Sequence, residues 1–426
     1  MRRKSMIQKK GAKIVLSTLA AMTLFSNSAF ALSMEEAVEM TLVNNNVIKE
    51  QSFKVKESDE KITGAKSVYE PTLDVDYSYD TKNNERSSQT KHDSAFNATV
   101  SYNLFKGFTD KYNISSAKND LLSSQYNYVA TKQDVILKTK EDFVNYLKNR
   151  RNTIVQQNAV KLFQKQYDDS KNFYEQGVRV ALNNLLEVEI ELLQAKQLLL
   201  KSKSAQKISK EQLFNTIGLY VNEDIDEVTI VEDENILDNF DKTALDSRSE
   251  IKALTKYRES LSDKQKATKG NYYPQVDASL EHKRYGDDIN LNEKDGSYEP
   301  QNVGTITMSW NLYSGGKDES DMVVYRHQMS QVNAQLQDLK LQIDLQYSDA
   351  KEQYVLTSEN LKISKKALTQ SRVNYDIVDN RFKEGVSTSK DLIDANYLLT
   401  QAQVNYYGAY YDKILAKATL ERIFER

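Results

Sequence analysis

Two aspartates, Asp391 and Asp394, are the residues whose type and spacing best suit chemistry, and they follow a glycine at position 385. Residues three positions apart lie on one face of a helix, so both carboxylates would point the same way. Such a pair can stabilise the first turn of a helix through the macrodipole. Carboxylates repeated around a symmetry axis can instead form a ring that favours cations. The two residues alone leave both interpretations open.

No other residues have the spacing of a catalytic, metal or phosphate site. His92, His282 and His327 share no ligand spacing, and the sequence contains no HExxH motif. Gly315-Gly316 lacks the Gly-Lys-Ser/Thr of a phosphate-binding loop and is more typical of a bend between a strand and a helix. The absence of cysteine removes thiol catalysis and cysteine metal sites. We therefore predict no enzyme activity and no bound cofactor or metal.

A long coiled-coil pattern must position the two aspartates. Apolar residues recur every seventh position, which is typical of a coiled-coil seam because seven residues make about two helical turns. The first run of the seam comprises Tyr347, Tyr354, Leu361, Leu368, Tyr375 and Phe382, and the spacing resumes after Gly385 with Leu392, Leu399 and Tyr406. We expect a long helix that reaches a tip, turns at the glycine and returns.

The composition favours long helices. Proline occurs three times and glycine 13 times in 426 residues, and both residues weaken helices. The formal net charge is only −3, so there is no electrostatic attraction toward nucleic acid.

The N-terminus indicates export, because residues 1–31 have the layout of a signal peptide. Basic residues lie between Arg2 and Lys13, an apolar run covers 14–25, and Ala29-Phe30-Ala31 forms a small-x-small cleavage site. The apolar run is short for a membrane-spanning helix, although an uncleaved N-terminal anchor is the alternative. No later stretch is long and apolar enough for a transmembrane helix, so insertion into a membrane would have to use strands.

Two segments change from the helical period to strict alternation of apolar and polar residues, which indicates strands. We predict β-hairpins at 72–105 and 275–313, with strands of about ten residues that suit a membrane span. A soluble hairpin with one buried face is the alternative. The predicted lipid-facing residues are Leu73, Val75, Phe96, Val100, Ile306, Met308 and Trp310. The predicted lumen-facing residues are Asp74, Asp76, Thr99, Ser101, Asp277 and Thr307, and a predicted interfacial girdle comprises Tyr69, Phe105, Phe108, Tyr272, Tyr273 and Tyr313.

Motifs recur at a fixed distance, which indicates an internal duplication. Asn103-Leu104-Phe105-Lys106-Gly107 recurs 208 residues later as Asn311-Leu312-Tyr313-Ser314-Gly315, and Gly177 and Gly385 are also 208 residues apart. After these glycines the match shifts by one residue and aligns Asn184-Leu185-Leu186-Glu187 with Asp391-Leu392-Ile393-Asp394.

The duplication defines the predicted domains. The first repeat is expected at 32–218, an acidic connector with a short β-like piece (228–231) at 219–243, and the second repeat at 244–426. Each repeat would comprise a helix, a β-hairpin, a long helix and a return helix. The opening helix of the first repeat is expected to run unbroken from a capping box at Ser33 and Glu36 to about residue 68.

Four strands are too few to close a membrane barrel, since single-chain barrels begin at about eight strands. An open sheet in lipid would leave backbone groups unpaired at a cost of several kcal/mol each. Strands from several chains must therefore combine. Two chains would give about eight strands with little open lumen, whereas three would give about twelve and a wider passage, so conduction favours three.

An ordered set of motifs carries a family resemblance over essentially the whole mature chain. The set comprises Leu32-Ser33-Met34-Glu35-Glu36-Ala37, Tyr69-Glu70-Pro71 with its echo Tyr273-Pro274, Asn103-Leu104-Phe105, Asn311-Leu312-Tyr313-Ser314-Gly315-Gly316, and the run from Phe382 to Ala395. In these motifs the chain resembles the TolC-type outer-membrane efflux and secretion channels. The resemblance implies a mostly α-helical homotrimer with a shared twelve-stranded barrel in the outer membrane and an α-helical tunnel across the periplasm.

The resemblance also implies partners and sites. A periplasmic adaptor protein and an inner-membrane pump of the RND or ABC type would be the partners, besides outer-membrane lipid. The implied adaptor-docking tips comprise Gly177, Val178, Gly385, Val386 and Ser387, and the implied periplasmic gate comprises Asp391, Asp394, Asn184, Glu187 and Arg179. Ser387 stands where the family often has a basic residue that helps to hold the closed state; Arg179 occupies the equivalent place in the first repeat.

The function predicted from these features is a passive outer-membrane exit channel of a tripartite efflux pump or a type I secretion system, gated at the periplasmic helix tips. The alternative is a soluble periplasmic coiled-coil adaptor or scaffold. The strands discriminate between the two, because a soluble scaffold has no need of four alternating segments in two matched hairpins.

Overall fold

The computed structural model describes residues 32–81, 92–177, 181–220, 225–229, 242–286, 288–289, 291 and 299–425. The predicted signal peptide, most of the predicted connector, and the tip residues Val178 and Arg179 lie outside the described residues. The helices are α1 (Met34–Asn44), α2 (Asn46–Lys66), α3 (Thr109–Glu175), α4 (Leu182–Ile217), α5 (Ser249–Lys269), α6 (Lys317–Lys383) and α7 (Ser389–Ile423). The strands are β1 (Thr72–Thr81), β2 (His92–Lys106), β3 (Gln275–Gly286) and β4 (Gln301–Ser309). The predicted fold class, mostly α with a four-stranded β contribution, is confirmed.

The helices α3 and α6 are the longest elements, with 67 residues each. At about 1.5 Å per residue, each is on the order of 100 Å long. Both ends of α6 lie 208 positions after the corresponding ends of α3, which is the offset of the repeated motifs. None of the helices in the described part of the chain has an apolar stretch that could cross a membrane.

The predicted coiled-coil seam is the packed face of the second hairpin. All six seam residues of α6 are buried or half-buried, Tyr354 and Phe382 most deeply. On α7, Leu392 and Leu399 are buried and Tyr406 is half-buried. Because α6 and α7 pack along their length, the seven-residue period reports their contact surface.

The long helix α3 occupies the middle of the helical layer. It packs against α2, α4, α5 and α7, whereas α6 packs against α5 and α7. One half of the layer therefore has the lateral order α2–α3–α5–α6, and the other has the order α4–α3–α7–α6. As a result, α6 forms one lateral edge of the protomer, and α2 and α4 form the other.

The largest apolar cluster lies at mid-length of α3. Phe143, Leu147, Leu213 and Tyr411 are almost completely buried there. The start of the described chain joins this cluster, because Leu32 forms a parallel bridge with Ile225. The bridge at Ile225 lies before the expected β-like piece at 228–231; residues 228 and 229 are not in a strand, and 230–231 lie outside the described residues.

The expected single opening helix is wrong, because the helix breaks at Asn45. That residue is extended (φ −63°, ψ 130°) and caps α2, accepting hydrogen bonds from the backbone N–H groups of Val47 and Ile48. Its side-chain Nδ2 also donates to the carbonyl oxygen of Thr216 at 2.7 Å. The asparagine thus satisfies backbone groups that a break exposes, and this makes the break favourable.

The four strands form one antiparallel sheet in the order β1-β2-β3-β4. Both predicted hairpins are present, but β4 ends at Ser309, so Trp310 lies beyond the strand in which it was expected. The indole Nε1 of Trp310 donates to the carbonyl oxygen of Tyr272 at 3.2 Å. A register shift between Asn103 and Phe105 marks a β-bulge near the end of β2.

Because directly opposed residues share a face of a sheet, the strand registers place most apolar residues on one face and most polar residues on the other. His282 and Asn302 are polar residues on the mainly apolar face. Leu73 is opposite Val100, and Val100 is opposite Leu280. The apolar face contains the predicted lipid-facing residues Leu73, Val75, Phe96, Val100, Ile306 and Met308. The polar face contains Asp74, Asp76, Thr99, Ser101, Asp277 and Thr307. That the apolar face meets lipid stays a prediction.

Sharp bends join the sheet to the long helices. Gly107 and Phe108 have positive φ angles of 59° and 67° before α3, and Gly315 and Gly316 have 70° and 83° before α6. A Cβ atom on Gly107 would lie 2.1 Å from the carbonyl oxygen of Gly270, so the first bend has no room for a larger residue. The bends direct both long helices away from the same end of the sheet.

Candidate functional site

The tip of the second hairpin is closed by a glycine turn. Gly385 has a φ of 76°, and its N–H donates to the carbonyl oxygen of Phe382 at 3.0 Å. The N–H of Val386 donates to the carbonyl oxygen of Arg381 at 2.8 Å. This hydrogen-bond pair is the Schellman motif, which favours glycine because the left-handed conformation is unfavourable for other residues. The turn sets the point at which α7 begins.

Asp391 forms a capping box at the start of α7. Its Oδ2 accepts hydrogen bonds from the backbone N–H and the hydroxyl of Thr388, both at 2.8 Å, and its own N–H donates to the Thr388 hydroxyl at 3.2 Å. These bonds to the backbone and hydroxyl of Thr388 lower the pKa of Asp391. The carboxylate therefore stabilises its own helix, as one of the two interpretations from sequence expected. It is also exposed, so capping does not prevent it from facing a passage.

Asp394 lies one turn further along the same exposed face of α7. The opposite face is buried: Ile393 packs in a cluster with Phe163 of α3 and with Val188 and Leu192 of α4. The second-repeat return helix is thus held against first-repeat helices. This packing fixes the direction in which Asp391 and Asp394 point, but the pore-lining role of both residues stays a prediction.

A buried polar network, which the sequence did not reveal, connects α7 to α3. Asn396 Nδ2 donates to Gln166 Oε1 at 3.0 Å, and Gln166 Nε2 donates to the carbonyl oxygen of Ser389 at 2.9 Å. Asn396 is 1% exposed and Gln166 is 2% exposed. The sequence did contain one sign of this network: Asn396 is a polar residue between Leu392 and Leu399, on the otherwise apolar side of the helix. The network orients the first turns of α7.

A charged contact lies near the same tip. The carboxylate of Asp379 on α6 accepts a hydrogen bond from Lys383 Nζ at 2.6 Å and lies 3.6 Å from Lys165 Nζ on α3. Asp379 raises the pKa of Lys383. Burial, with a smaller effect from Asp379, raises the pKa of Tyr375 to about 12. The contact adds a link between the long helices of the two repeats.

The first tip has the same helix ending but a longer turn. Gly177 has a φ of 68°, and its N–H donates to the carbonyl oxygen of Tyr174 at 3.0 Å. The cap residue Ala181 provides no side-chain hydrogen bond, unlike Thr388. Asn184 and Glu187 are half-buried near the start of α4, and the Asn184 side-chain oxygen accepts from Asn183 Nδ2 at 3.0 Å. Thus the first-repeat counterparts of the aspartates are less exposed.

A groove brings residues of both tips together. Its volume is about 280 Å³, and it is lined by Phe173, Asn184, Phe382, Gly385, Val386, Ser387, Thr388 and Ser389. Phe173 and Phe382 pack edge to face, with ring centroids 6.1 Å apart. The groove is lined both by Asn184, which was predicted for the gate, and by Gly385, Val386 and Ser387, which were predicted for adaptor docking; both roles stay predictions. Val386 is 63% exposed, so the tip presents an apolar side chain to solvent.

The described residues contain no group of three His, Cys, Asp or Glu side chains placed to hold a metal ion. The chemistry of the tip is therefore that of exposed carboxylates, hydroxyls and a groove that combines aromatic and polar side chains. Such a set can attract cations or bind a partner protein.

Solved outer-membrane channels have the same fold. The CmeC channel of Campylobacter jejuni matches with a TM-score of 0.81 at 14% identity, covering 92% of this chain and 85% of that one. VceC of Vibrio cholerae matches with a TM-score of 0.77 at 14% identity, covering 92% and 96%. The open state of MtrE of Neisseria gonorrhoeae matches with a TM-score of 0.72 at 15% identity, covering 92% and 88%. No curated protein sequence matches significantly.

The family model of outer membrane efflux proteins matches residues 37–219 and 242–424. The chain belongs to this family, and the resemblance to TolC-type channels is confirmed. Its predicted location in the outer membrane and its assignment as a channel protein, not an enzyme, are confirmed with it. The alternative of a soluble periplasmic scaffold is therefore set aside.

Proposed function

We propose that three copies of the chain form a passive exit channel. The sheets of the three copies combine into one barrel of about twelve strands in the outer membrane. The helices form a continuous tunnel across the periplasm. A periplasmic adaptor connects the tunnel to an inner-membrane pump of the RND or ABC type, which supplies the energy. The assembly serves tripartite efflux or type I secretion.

The observation that carries this proposal is the open sheet. β1 and β4 are its outermost strands, and their outer edges have no strand partner among the described residues. Unpaired backbone groups in lipid cost several kcal/mol each. Pairing β4 of one copy with β1 of the next removes both edges. Three copies give a lumen wider than the packed interior of an eight-stranded barrel.

The helical edges support the same arrangement. On the edge formed by α6, Leu341, Leu345 and Ile363 are 69%, 70% and 65% exposed. On the opposite edge, Leu193 and Leu200 of α4 are 58% and 69% exposed. Exposed leucines along both lateral edges suit burial between neighbouring copies, in which α6 packs against α4 of the next copy.

The two tips supply the proposed gate and docking surface. Three copies would bring Asp391 and Asp394 around the axis as six carboxylates, which favour cations. The groove beside Val386 suits a side chain of the adaptor, because it combines two aromatic rings with hydroxyl and amide groups. The hydrogen bonds that cap α7 remain compatible with both roles, since both carboxylates are exposed.

Disulfide cross-linking between the sheet edges tests the assembly. The chain has no cysteine, so each introduced pair reports one contact. Asp74→Cys or Asp76→Cys in β1 is combined with Thr305→Cys or Thr307→Cys in β4. Within one copy these strands are separated by two others, about 14 Å at 4.8 Å per strand, which is too far for a disulfide.

The expected product is a covalent trimer that migrates as such on a non-reducing gel after heating. Each single-cysteine variant serves as the control and should give monomers after heating. The unlinked protein should migrate as a heat-sensitive trimer in detergent and conduct ions in a planar bilayer. Only monomers in every pair, together with no conductance, would refute the proposed channel.

A further inference from the structure

The apolar face of the sheet carries a single permanently charged side chain within the described strands, Arg284. It is opposite Phe96, which is opposite Tyr77. It shares this face with Leu280, two cross-strand rows nearer the helices. A charge on a lipid-facing surface is unfavourable at the bilayer centre and tolerated near the headgroups. The position of Arg284 along the membrane normal therefore decides whether its side chain can bind a lipid headgroup.

The strand geometry places Arg284 at the outer edge of the apolar band. It follows Val276, the first apolar residue of β3, by eight residues. At about 3.4 Å per residue this is roughly 27 Å along the strand, and a tilt of about 40° reduces it to roughly 21 Å across the membrane. An apolar band is about 25 Å tall. With the helices in the periplasm and Val276 at the inner edge of the band, Arg284 lies about 4 Å inside the outer edge, from where its long side chain can reach the outer headgroups.

The surroundings of Arg284 fit this level. Beyond it on the same face, the hydroxyl of Tyr79 is 3.0 Å from Nδ1 of His92, and the two rings stack with centroids 5.8 Å apart. Aromatic residues with a polar end are enriched at membrane interfaces. Arg284 is exposed, and no ion pair joins it to another residue in the described part of the chain. Its neighbour Lys283, on the polar face, lies 3.0 Å from Glu281.

We propose that Arg284 binds the phosphate group of an outer-leaflet lipid. A guanidinium group donates two parallel hydrogen bonds to a phosphate, and its charge complements that of the headgroup. The acyl chains of the same lipid would cover the apolar side chains of the rows nearer the helices, such as Leu280 and Val100, beyond a row that also contains His282 and Asn302. This inference rests on the proposed function, because such a lipid reaches the face only if the sheet spans the outer membrane.

Lipid binding to purified protein in detergent tests the inference. Native mass spectrometry would compare the wild type with Arg284→Gln and with the control Lys283→Gln, which removes a neighbouring charge from the opposite face. The probes are bisphosphorylated lipid A, the same lipid without phosphates, and inorganic phosphate. We expect Arg284→Gln to bind bisphosphorylated lipid A roughly tenfold more weakly, as the loss of a charged hydrogen bond implies. Lys283→Gln should bind it like the wild type.

Unchanged lipid A binding by Arg284→Gln would overturn the inference, and so would equal binding of the phosphate-free lipid. Displacement of lipid A by inorganic phosphate would indicate a free-anion site and would also overturn it. Trimer migration and bilayer conductance of the same samples separate the two proposals. If the wild type forms conducting trimers but binds lipid independently of Arg284, only this inference fails. If the wild type neither assembles nor conducts, the proposed channel fails as well.

Discussion

Replacing Asn396 by alanine is expected to loosen the returning helix α7 from α3. The substitution removes the donor to Gln166 Oε1, a bond of 3.0 Å between side chains that are 1% and 2% exposed. Leaving a buried acceptor without its donor costs about 1–3 kcal/mol. Since about 1.4 kcal/mol corresponds to a factor of ten, local opening of α7 should become roughly 5- to 150-fold more frequent.

Hydrogen exchange of the assembled protein measures this opening directly. Backbone amides of residues 389–399 should exchange faster in Asn396→Ala by the factor given above, because local opening limits their exchange. Amides near the middle of α3, in the cluster around Phe143, should be unaffected. If α7 carries the gate, leak conductance through the closed channel should rise in the same variant.

The same helix offers a matched control. Gln401 Nε2 donates to Asn405 Oδ1 at 2.9 Å in an exposed pair, and Asn405→Ala should change exchange only about twofold because solvent replaces the lost partner. Replacing Gln166 and Asn396 together by leucine removes both side chains of their mutual hydrogen bond, leaving only the Ser389 carbonyl without its donor from Gln166, and should be less harmful than Asn396→Ala alone. Equal exchange in Asn396→Ala and the wild type would refute the reasoning, as would a double variant at least as damaging as the single one.

Three further predictions concern other parts of the chain. Asp391→Asn combined with Asp394→Asn should lower cation preference and raise leak in planar bilayers; unchanged selectivity and conductance would count against an acidic gate. Gly107→Ala should lower the unfolding temperature of the trimer, because its Cβ would lie 2.1 Å from the carbonyl oxygen of Gly270 and its φ of 59° is unfavourable for alanine; Gly177→Ala, with open space around it, should lack the steric part of this effect. Partial burial opposes ionisation of Glu250, but hydrogen bonds from two arginines lower its pKa from 4.5 to about 2. The ionised Glu250 therefore stabilises the fold above pH 4.5, and this stabilisation is lost as the pH falls toward 2. In Glu250→Gln, the unfolding temperature should depend less on pH over that range than it does in the wild type.

Much of the fold was predictable because it follows from local periodicity. The seven-residue spacing from Tyr347 to Phe382 identified the packed face of α6, since the helical repeat fixes which side chains share a face. The alternation of apolar and polar residues from Leu73 to Val100 identified the strands and their two faces, because successive side chains of a strand point to opposite faces. Turn glycines such as Gly385 could be recognised from the sequence because the left-handed backbone conformation at the end of a helix strongly favours glycine.

Other features depended on contacts between segments far apart in the chain. The break at Asn45 is stabilised partly by a carbonyl of residue 216, and no local pattern contains that partner. The end of β4 before Trp310 follows from its register with β3, not from the apolar pattern, which continues. A sequence pattern describes the side chains along one segment, whereas these features depend on which backbone groups of other segments lie within hydrogen-bonding distance.

The amino-acid sequence by itself determined the duplicated plan, the approximate lengths of the long helices α3 and α6, and the position of the two aspartates after the second tip. Only the tertiary structure decided that Asn184 lines a groove with the second tip and that Gln166 and Asn396 connect the two repeats. The physical reason is the range of the interactions. Period and turn chemistry act over a few residues, whereas the tip is assembled by helices that begin more than 200 positions apart and meet only when packed.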